Sequence, residues 1–292
     1  MDYSSIVRQA WRLTWRYKWL WLPGLLAVLG VGGNTAGVGA PTGINLRGGA
    51  PVTDLSADRL VVILGIGSVL LLLGVILWVV SVIGRGALIA GVDRLAQTGV
   101  CTLGQAWAAG VENFGRLFLI GLVTALPGLV LAFLTFIAAV PAMAGDAFGG
   151  ALAATVIACF LPLCCALTVV GLLLGLIQQF ADRAAVIEGR APLAAFGRGW
   201  DVLRAHLGDV FLLFVTWAAL AWFFQLLIAF VIASVIPMIL QLAGGAFLDF
   251  GALFLALIAT LVGVVVAAIF GVFNTFASAM WTLAYRRFIA RP

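Results

Sequence analysis

The chain has 292 residues, of which 64% are hydrophobic and only 9% charged, whereas soluble domains run to about 45–50% apolar and about a quarter charged. At a mean hydropathy of +1.22 no water-soluble fold of this length can hide its apolar surface, so lipid must be the solvent for most of it. The net charge of +5 does not call for nucleic acid, because basic residues flanking membrane helices account for it.

Residues 1–18 set Arg8, Arg12, Arg16 and Lys18 among Trp11, Trp15 and Tyr17. The three arginines recur every fourth residue, giving a cationic helix face opposite Val7, Ala10, Leu13 and Tyr17. No small-residue cleavage site follows, so the segment reads as an interfacial helix and not a signal peptide. The first apolar run, 19–31, is short for a span and must borrow a turn from the helix before it, with Arg16 and Lys18 snorkelling to the interface. A Gly/Pro-rich connection over 32–58 leads to a second span at 60–83, which continues into a polar end at 86–97.

Further along, Thr102 and Gln105 stand at capping-box spacing and predict a helix starting near Leu103 that carries Ala106 and Trp107. Spans at 117–140 and 152–177 follow, separated by 141–150, and the second runs on into a polar end at 180–190. Gly171 and Gly175 form a GxxxG close-packing signal. Pro192 suits the first turn of a third short helix. On it Phe196, Trp200, Leu203 and Leu207 recur as one apolar stripe, while Arg198, Asp201, Arg204 and Asp209 point elsewhere. Spans at 210–240 and 253–273, with 241–250 between them, lead to a last polar end at 276–291.

Three units of one design emerge. Trp11, Trp107 and Trp200 recur at spacings of 96 and 93 residues, each in a segment of mixed polarity that leads into a span. Phe180-Ala181 matches Phe276-Ala277 at the ends of the second and third units. The expected fold is an all-α integral membrane domain over 1–292 with pseudo-repeats 1–99, 100–190 and 191–292. Its six transmembrane helices form three hairpins, each preceded by a cytoplasmic interfacial amphipathic helix. Of the 16 basic residues, only Arg47 and Arg59 fall opposite the N-terminus, which sets both termini in the cytoplasm. Trp11, Trp107 and Trp200 then anchor the short helices at headgroup level, with basic residues toward anionic lipid headgroups. Alternatively these helices line a lateral entrance for lipid or dock a cytoplasmic partner.

The centre of every span lacks Asp, Glu, Lys, Arg and His, which argues against a proton- or sodium-driven transporter and against intramembrane hydrolysis. Neither HExxH nor GxSxG occurs. His206 reads as an exposed interfacial residue, and Cys101, Cys159, Cys164 and Cys165 as buried structural thiols, so no metal, cofactor or enzyme activity is expected. Polar residues cluster where the second helix of each unit leaves the membrane: Ser81 and Arg85; Gln178, Gln179 and Asp182; Asn274, Thr275 and Ser278. Around a pseudo-threefold axis Arg85, Gln179 and Asn274 would converge on a cytoplasm-facing pocket. The favoured reading is that the same side chains serve as hydrogen-bonded packing between helices.

Met1-Asp2-Tyr3 with Ala10-Trp11, Trp15, Lys18-Trp19-Leu20-Trp21, Gly24 and the Gly-rich run after Leu29 resembles an uncharacterised family of bacterial multipass membrane proteins. Arg190-Ala191-Pro192-Leu193 through Gly199-Trp200 and Leu203-Arg204 is similar to a segment shared by that family and the membrane domain appended to some glycerophosphodiester phosphodiesterases. The resemblance implies a six-helix bundle in the bacterial inner membrane. It brings no catalytic residues, since the phosphodiesterase chemistry belongs to a separate soluble domain. The expected function is a non-catalytic scaffold or accessory subunit of the cytoplasmic membrane, the alternative a transporter or lipid-handling permease.

Overall fold

The computed structural model describes residues 3–29, 57–142, 147–243 and 251–290, and these are helical almost throughout. In chain order they form α1 (Tyr3–Arg16), a 3-10 turn (Lys18–Leu20), α2 (Trp21–Leu29), α3 (Ala57–Thr98), α4 (Leu103–Glu112), α5 (Phe114–Ala142), α6 (Ala147–Ile187), α7 (Pro192–Ala205), α8 (Leu207–Ala243) and α9 (Gly251–Ile289). The connections expected at 32–58, 141–150 and 241–250 lie wholly or partly outside the described residues, as do Arg47 and the side chains of Arg59 and Cys159.

Among the described residues five helices are long and apolar enough to cross a membrane, over Gly67–Thr98, Phe114–Leu134, Pro162–Ile187, Leu207–Phe230 and Thr260–Ile289. The run expected to cross first forms the 3-10 turn and α2, which has nine residues. At 1.5 Å per residue α2 covers about 14 Å, half of a hydrocarbon core of about 30 Å. By contrast α3, with 42 residues, and α6, with 41, reach about 60 Å each. They therefore continue unbroken past any bilayer into the polar ends read from the sequence.

The chain divides into two compact units, one of Met1–Val111 with Gly208–Ala284 and one of Glu112–Leu207 with Tyr285–Pro292. In the first unit burial concentrates on α1, the 3-10 turn, α2 and the C-terminal halves of α3 and α9, where Ile6, Leu20, Leu88, Val92 and Met280 are enclosed. The second unit buries Phe180, Ala181, Ala184 and Ala185 near the end of α6, with Ala195 of α7 and Tyr285. There α5 packs along α6, and α7 lies on both.

Local chemistry explains the short helices. The α4 start is a reciprocal cap: Gln105 N–H donates to Thr102 Oγ1 at 3.4 Å, and Thr102 N–H to Gln105 Oε1 at 3.2 Å. Pro192 opens α7, where its missing N–H has no helical acceptor to lose. Both α3 and α6 run into a left-handed glycine, Gly99 at φ 71° and Gly189 at φ 67°, a backbone state that other residues resist. In α1 the buried stripe is Ile6, Ala10 and Thr14, with Arg8, Arg12 and Arg16 exposed on the other side.

On α7 the structure departs from the expected stripe. Trp200 and Leu207 are exposed, and the buried positions are Ala195, Gly199, Val202 and Leu203. The cause is close docking: a Cβ on Gly199 would stand 2.9 Å from the Ile177 carbonyl oxygen and 3.1 Å from the Ala181 amide nitrogen. Only a face of small residues lets two helix backbones approach so nearly, so the bulky apolar residues are turned away. Gly110 of α4 meets α3 in the same way, 2.5 Å from Ile83 O and 2.9 Å from Ala87 N. This docking pairs Gly110 with Gly199 and hence Trp107 with Phe196, one helical turn away from the Trp107–Trp200 register. The extra turn is visible in the helices themselves, 10 residues in α4 against 14 in α7.

The GxxxG glycines are not the close-packed ones. A Cβ on Gly171 or Gly175 would meet nothing within 4 Å. The tight crossings use glycines from different helices instead: Gly24 of α2, Gly84 of α3 and Gly271 of α9. Of the three cysteines whose side chains are described, Cys101 is buried, Cys164 half-buried and Cys165 exposed. Burial pushes the Cys101 thiol above its ordinary range despite the lowering pull of Arg94.

Candidate functional site

Two sets of polar contacts stand out, one in each unit. In the first unit, α2 is clasped between α3 and α9. Gly84 of α3 sits against Pro23 and Ala27, while Gly271 of α9 sits against Leu25. Two side chains of α9 bind the α2 region through its backbone. Thr275 Oγ1 donates to Leu20 O at 3.1 Å, sharing its proton with Gly271 O at 2.8 Å, and Asn274 Nδ2 donates to Gly24 O at 3.2 Å. Carbonyls near the start of a short apolar helix thus acquire partners that the helix alone shares only in part.

In the second unit Glu188, one residue past α6, is the hub. Its Oε1 accepts the Tyr285 hydroxyl, Oε2 accepts Arg190 Nε at 2.6 Å, and Arg198 Nε lies 3.5 Å from Oε1. Burial alone would raise the Glu188 pKa. The hydrogen bonds from Tyr285 and Arg190 and the charges of Arg190 and Arg198 outweigh it and hold the carboxyl below its ordinary range. Beneath this hub Phe180 packs against Tyr285 and Phe288, and His206 stacks on Phe288 at 4.8 Å between ring centroids. His206 is therefore half-buried in an aromatic cluster and not an exposed interfacial residue. With its carboxylate engaged by three side chains, Glu188 acts as a clamp that joins α6, α7 and the end of α9.

The residues proposed as a polar pocket are all half-buried. Arg85 and Asn274 belong to the first unit and Gln179 to the second. Asn274 is engaged with Gly24, and the Gln179 side-chain oxygen accepts Arg183 Nη1 at 3.2 Å. The Arg85 Nε is buried with no hydrogen-bond partner among the described residues. In the register set by glycine docking and by Phe180-Ala181 against Phe276-Ala277, the α9 residue equivalent to Arg85 and Gln179 is Thr275. Of the three tryptophans expected as anchors, Trp11 and Trp200 are exposed and Trp107 is half-buried. No metal-holding group of three or more His, Cys, Asp or Glu occurs among the described residues.

Sequence reasoning missed Glu188 and Tyr285, which lie 97 positions apart. The available signal was a lone acidic residue in an arginine-bearing joint, Glu188 ahead of Arg190 and Arg198.

No curated protein and no solved structure matches the chain. Residues 86–288, from the second half of α3 almost to the end of α9, match a family described as a domain of unknown function, DUF7847. The chain is a member of the DUF7847 family.

Proposed function

We propose that this protein is a non-catalytic membrane scaffold or accessory subunit that holds a transmembrane helix of another protein against α8. The observation that carries this reading is an exposed seam along α8: Phe211, Val215, Ala219, Trp222, Leu226 and Phe230 recur every third or fourth residue and are all exposed. Val210, Leu213 and Ile228 form the opposite, buried side. Trp222 is 69% exposed near the middle of the helix. An indole N–H favours the membrane interface, where it finds polar partners, over the hydrocarbon centre. A carbonyl or hydroxyl on a neighbouring helix would supply one.

In this reading the chain crosses the bacterial cytoplasmic membrane six times as three hairpins, with both termini in the cytoplasm. The 14 basic residues on the N-terminal side support that orientation. The likeness to the membrane domain appended to some glycerophosphodiester phosphodiesterases supports an accessory role, since such a domain serves a catalytic part without supplying residues to it. A second reading, a lipid-handling permease, is favoured by the buried and unpartnered Arg85 Nε at the end of a span, because a buried cationic donor without a partner can receive an anionic headgroup.

Purification in native lipid with mass spectrometry of what co-purifies tests the two. The scaffold reading expects a membrane protein at fixed stoichiometry that Trp222→Leu combined with Phe230→Ala releases. Lipid alone, lost on Arg85→Leu and indifferent to the α8 changes, would transfer support to the permease.

A further inference from the structure

We propose that a groove between α1 and α8 holds one acyl chain of an anionic phospholipid, with the headgroup phosphate on Arg8 and Arg12. The proposal rests on the reading of the chain as a membrane protein and goes beyond it by naming a lipid site. The groove has a volume of about 500 Å³ and is lined by Ser4, Val7, Arg8 and Trp11 of α1 and Thr216 of α8. That is within the usual range of small-ligand sites. Its walls are almost wholly apolar, and its aromatic floor is fixed. Trp11 packs edge-on against Phe276 at 6.0 Å and tilts against Trp15 at 5.6 Å, and Trp15 meets Trp21 edge-on at 5.4 Å.

Charge and an apolar lining together select the occupant. Arg8 forms part of the lining, and Arg12 follows one turn later on the same exposed face. Neither has an ion-pair partner among the described residues. The Thr216 hydroxyl donates to Leu212 O at 2.8 Å, so the α8 wall offers no free proton to a polar ligand. Free phosphate could use the two arginines but would leave the apolar walls uncovered. A phospholipid uses both.

The test is native mass spectrometry of the full-length protein titrated with phosphatidylglycerol or phosphatidylcholine. Wild type should retain one phosphatidylglycerol in preference to phosphatidylcholine. Thr216→Trp, which fills the groove, should weaken that retention, and Arg8→Gln with Arg12→Gln should remove the preference, about fivefold for each arginine. Arg204→Gln, on the exposed side of α7, should change neither. Equal losses from Arg204→Gln and from the Arg8 and Arg12 changes, or undiminished retention in Thr216→Trp, would overturn the site. So would displacement of the lipid by equimolar inorganic phosphate. A second readout avoids the groove-filling variant: phosphatidylglycerol with brominated chains should quench a tryptophan component that saturates at one lipid per chain and disappears in Trp11→Phe. Quenching unchanged by Trp11→Phe also overturns the site. Retention of the protein in membranes through an alkaline wash reads the membrane assignment separately, so an integral protein without a bound lipid refutes the groove alone.

Discussion

Replacing Gly24 with leucine is expected to be the most damaging single change in the first unit, lowering stability by about 3 kcal/mol or more. A Cβ there would stand 2.5 Å from the Gly271 carbonyl oxygen and closer still to Thr275 Oγ1. The first obstacle is backbone and cannot rotate aside. Either α2 separates from α9, giving up the Thr275 bond to Leu20 O and the Asn274 bond to Gly24 O, or both helices shift. Thermal unfolding in lipid nanodiscs should show a fall of about 10 °C. Combining Gly24→Ala with Thr275→Ala should be less than additive relative to the two single changes, because the second removes one of the two obstacles. Gly171→Ala and Gly175→Ala supply the contrast. Nothing lies within 4 Å of either Cβ position, so each should be neutral or stabilising by up to about 1 kcal/mol through helix propensity.

Loss of Glu188 should have the largest effect in the second unit. Glu188→Ala removes the hydrogen-bond acceptor of the Tyr285 hydroxyl and of Arg190 and the ion-pair partner of Arg198, a loss of about 2–3 kcal/mol for two charge-assisted hydrogen bonds whose acceptor is 19% exposed. The pH dependence has a definite sign. Because folding lowers the Glu188 pKa from its ordinary 4.5, the clamp contributes fully above about that pH and fades as pH falls through the depressed folded value. Wild type should therefore lose stability on acidification below about pH 4.5, and Glu188→Gln should remove that part of the acid sensitivity while remaining less stable at neutral pH. An unchanged acid profile in Glu188→Gln would assign the sensitivity to other carboxylates.

What could be read from the sequence was set by local rules. Thr102 and Gln105 cap each other across a single turn, Pro192 needs only its own ring, and the Arg8, Arg12 and Arg16 face follows from helix period alone. All three features reappear in the structure. The face of α7 was misjudged because a stripe of large apolar residues marks what avoids water, whereas docking at backbone distance selects Ala195 and Gly199. The tryptophan register failed for the same reason: Trp107 and Trp200 mark outward positions, while Gly110 and Gly199 mark the contact. The Gly24, Gly84 and Gly271 crossing gave no motif, since its members sit on three separate helices. Glu188 and Tyr285 meet only because α6 and α9 bring distant positions together.

The proposed chain crosses the membrane six times in three hairpins and presents the α8 seam to a partner within it. Its weak point is α2, whose nine residues cannot cross a bilayer unaided. Sidedness of the two ends decides the matter, because an even number of crossings returns the C-terminus to the side of the N-terminus and an odd number does not. Single cysteines introduced at Ser5 and Arg287 in a cysteine-free background, probed in intact cells with a membrane-impermeant maleimide, measure it directly. With six crossings both are protected in intact cells and labelled only after lysis. Labelling of one end alone in intact cells would contradict that count, leaving five crossings and an α2 that enters the membrane without traversing it.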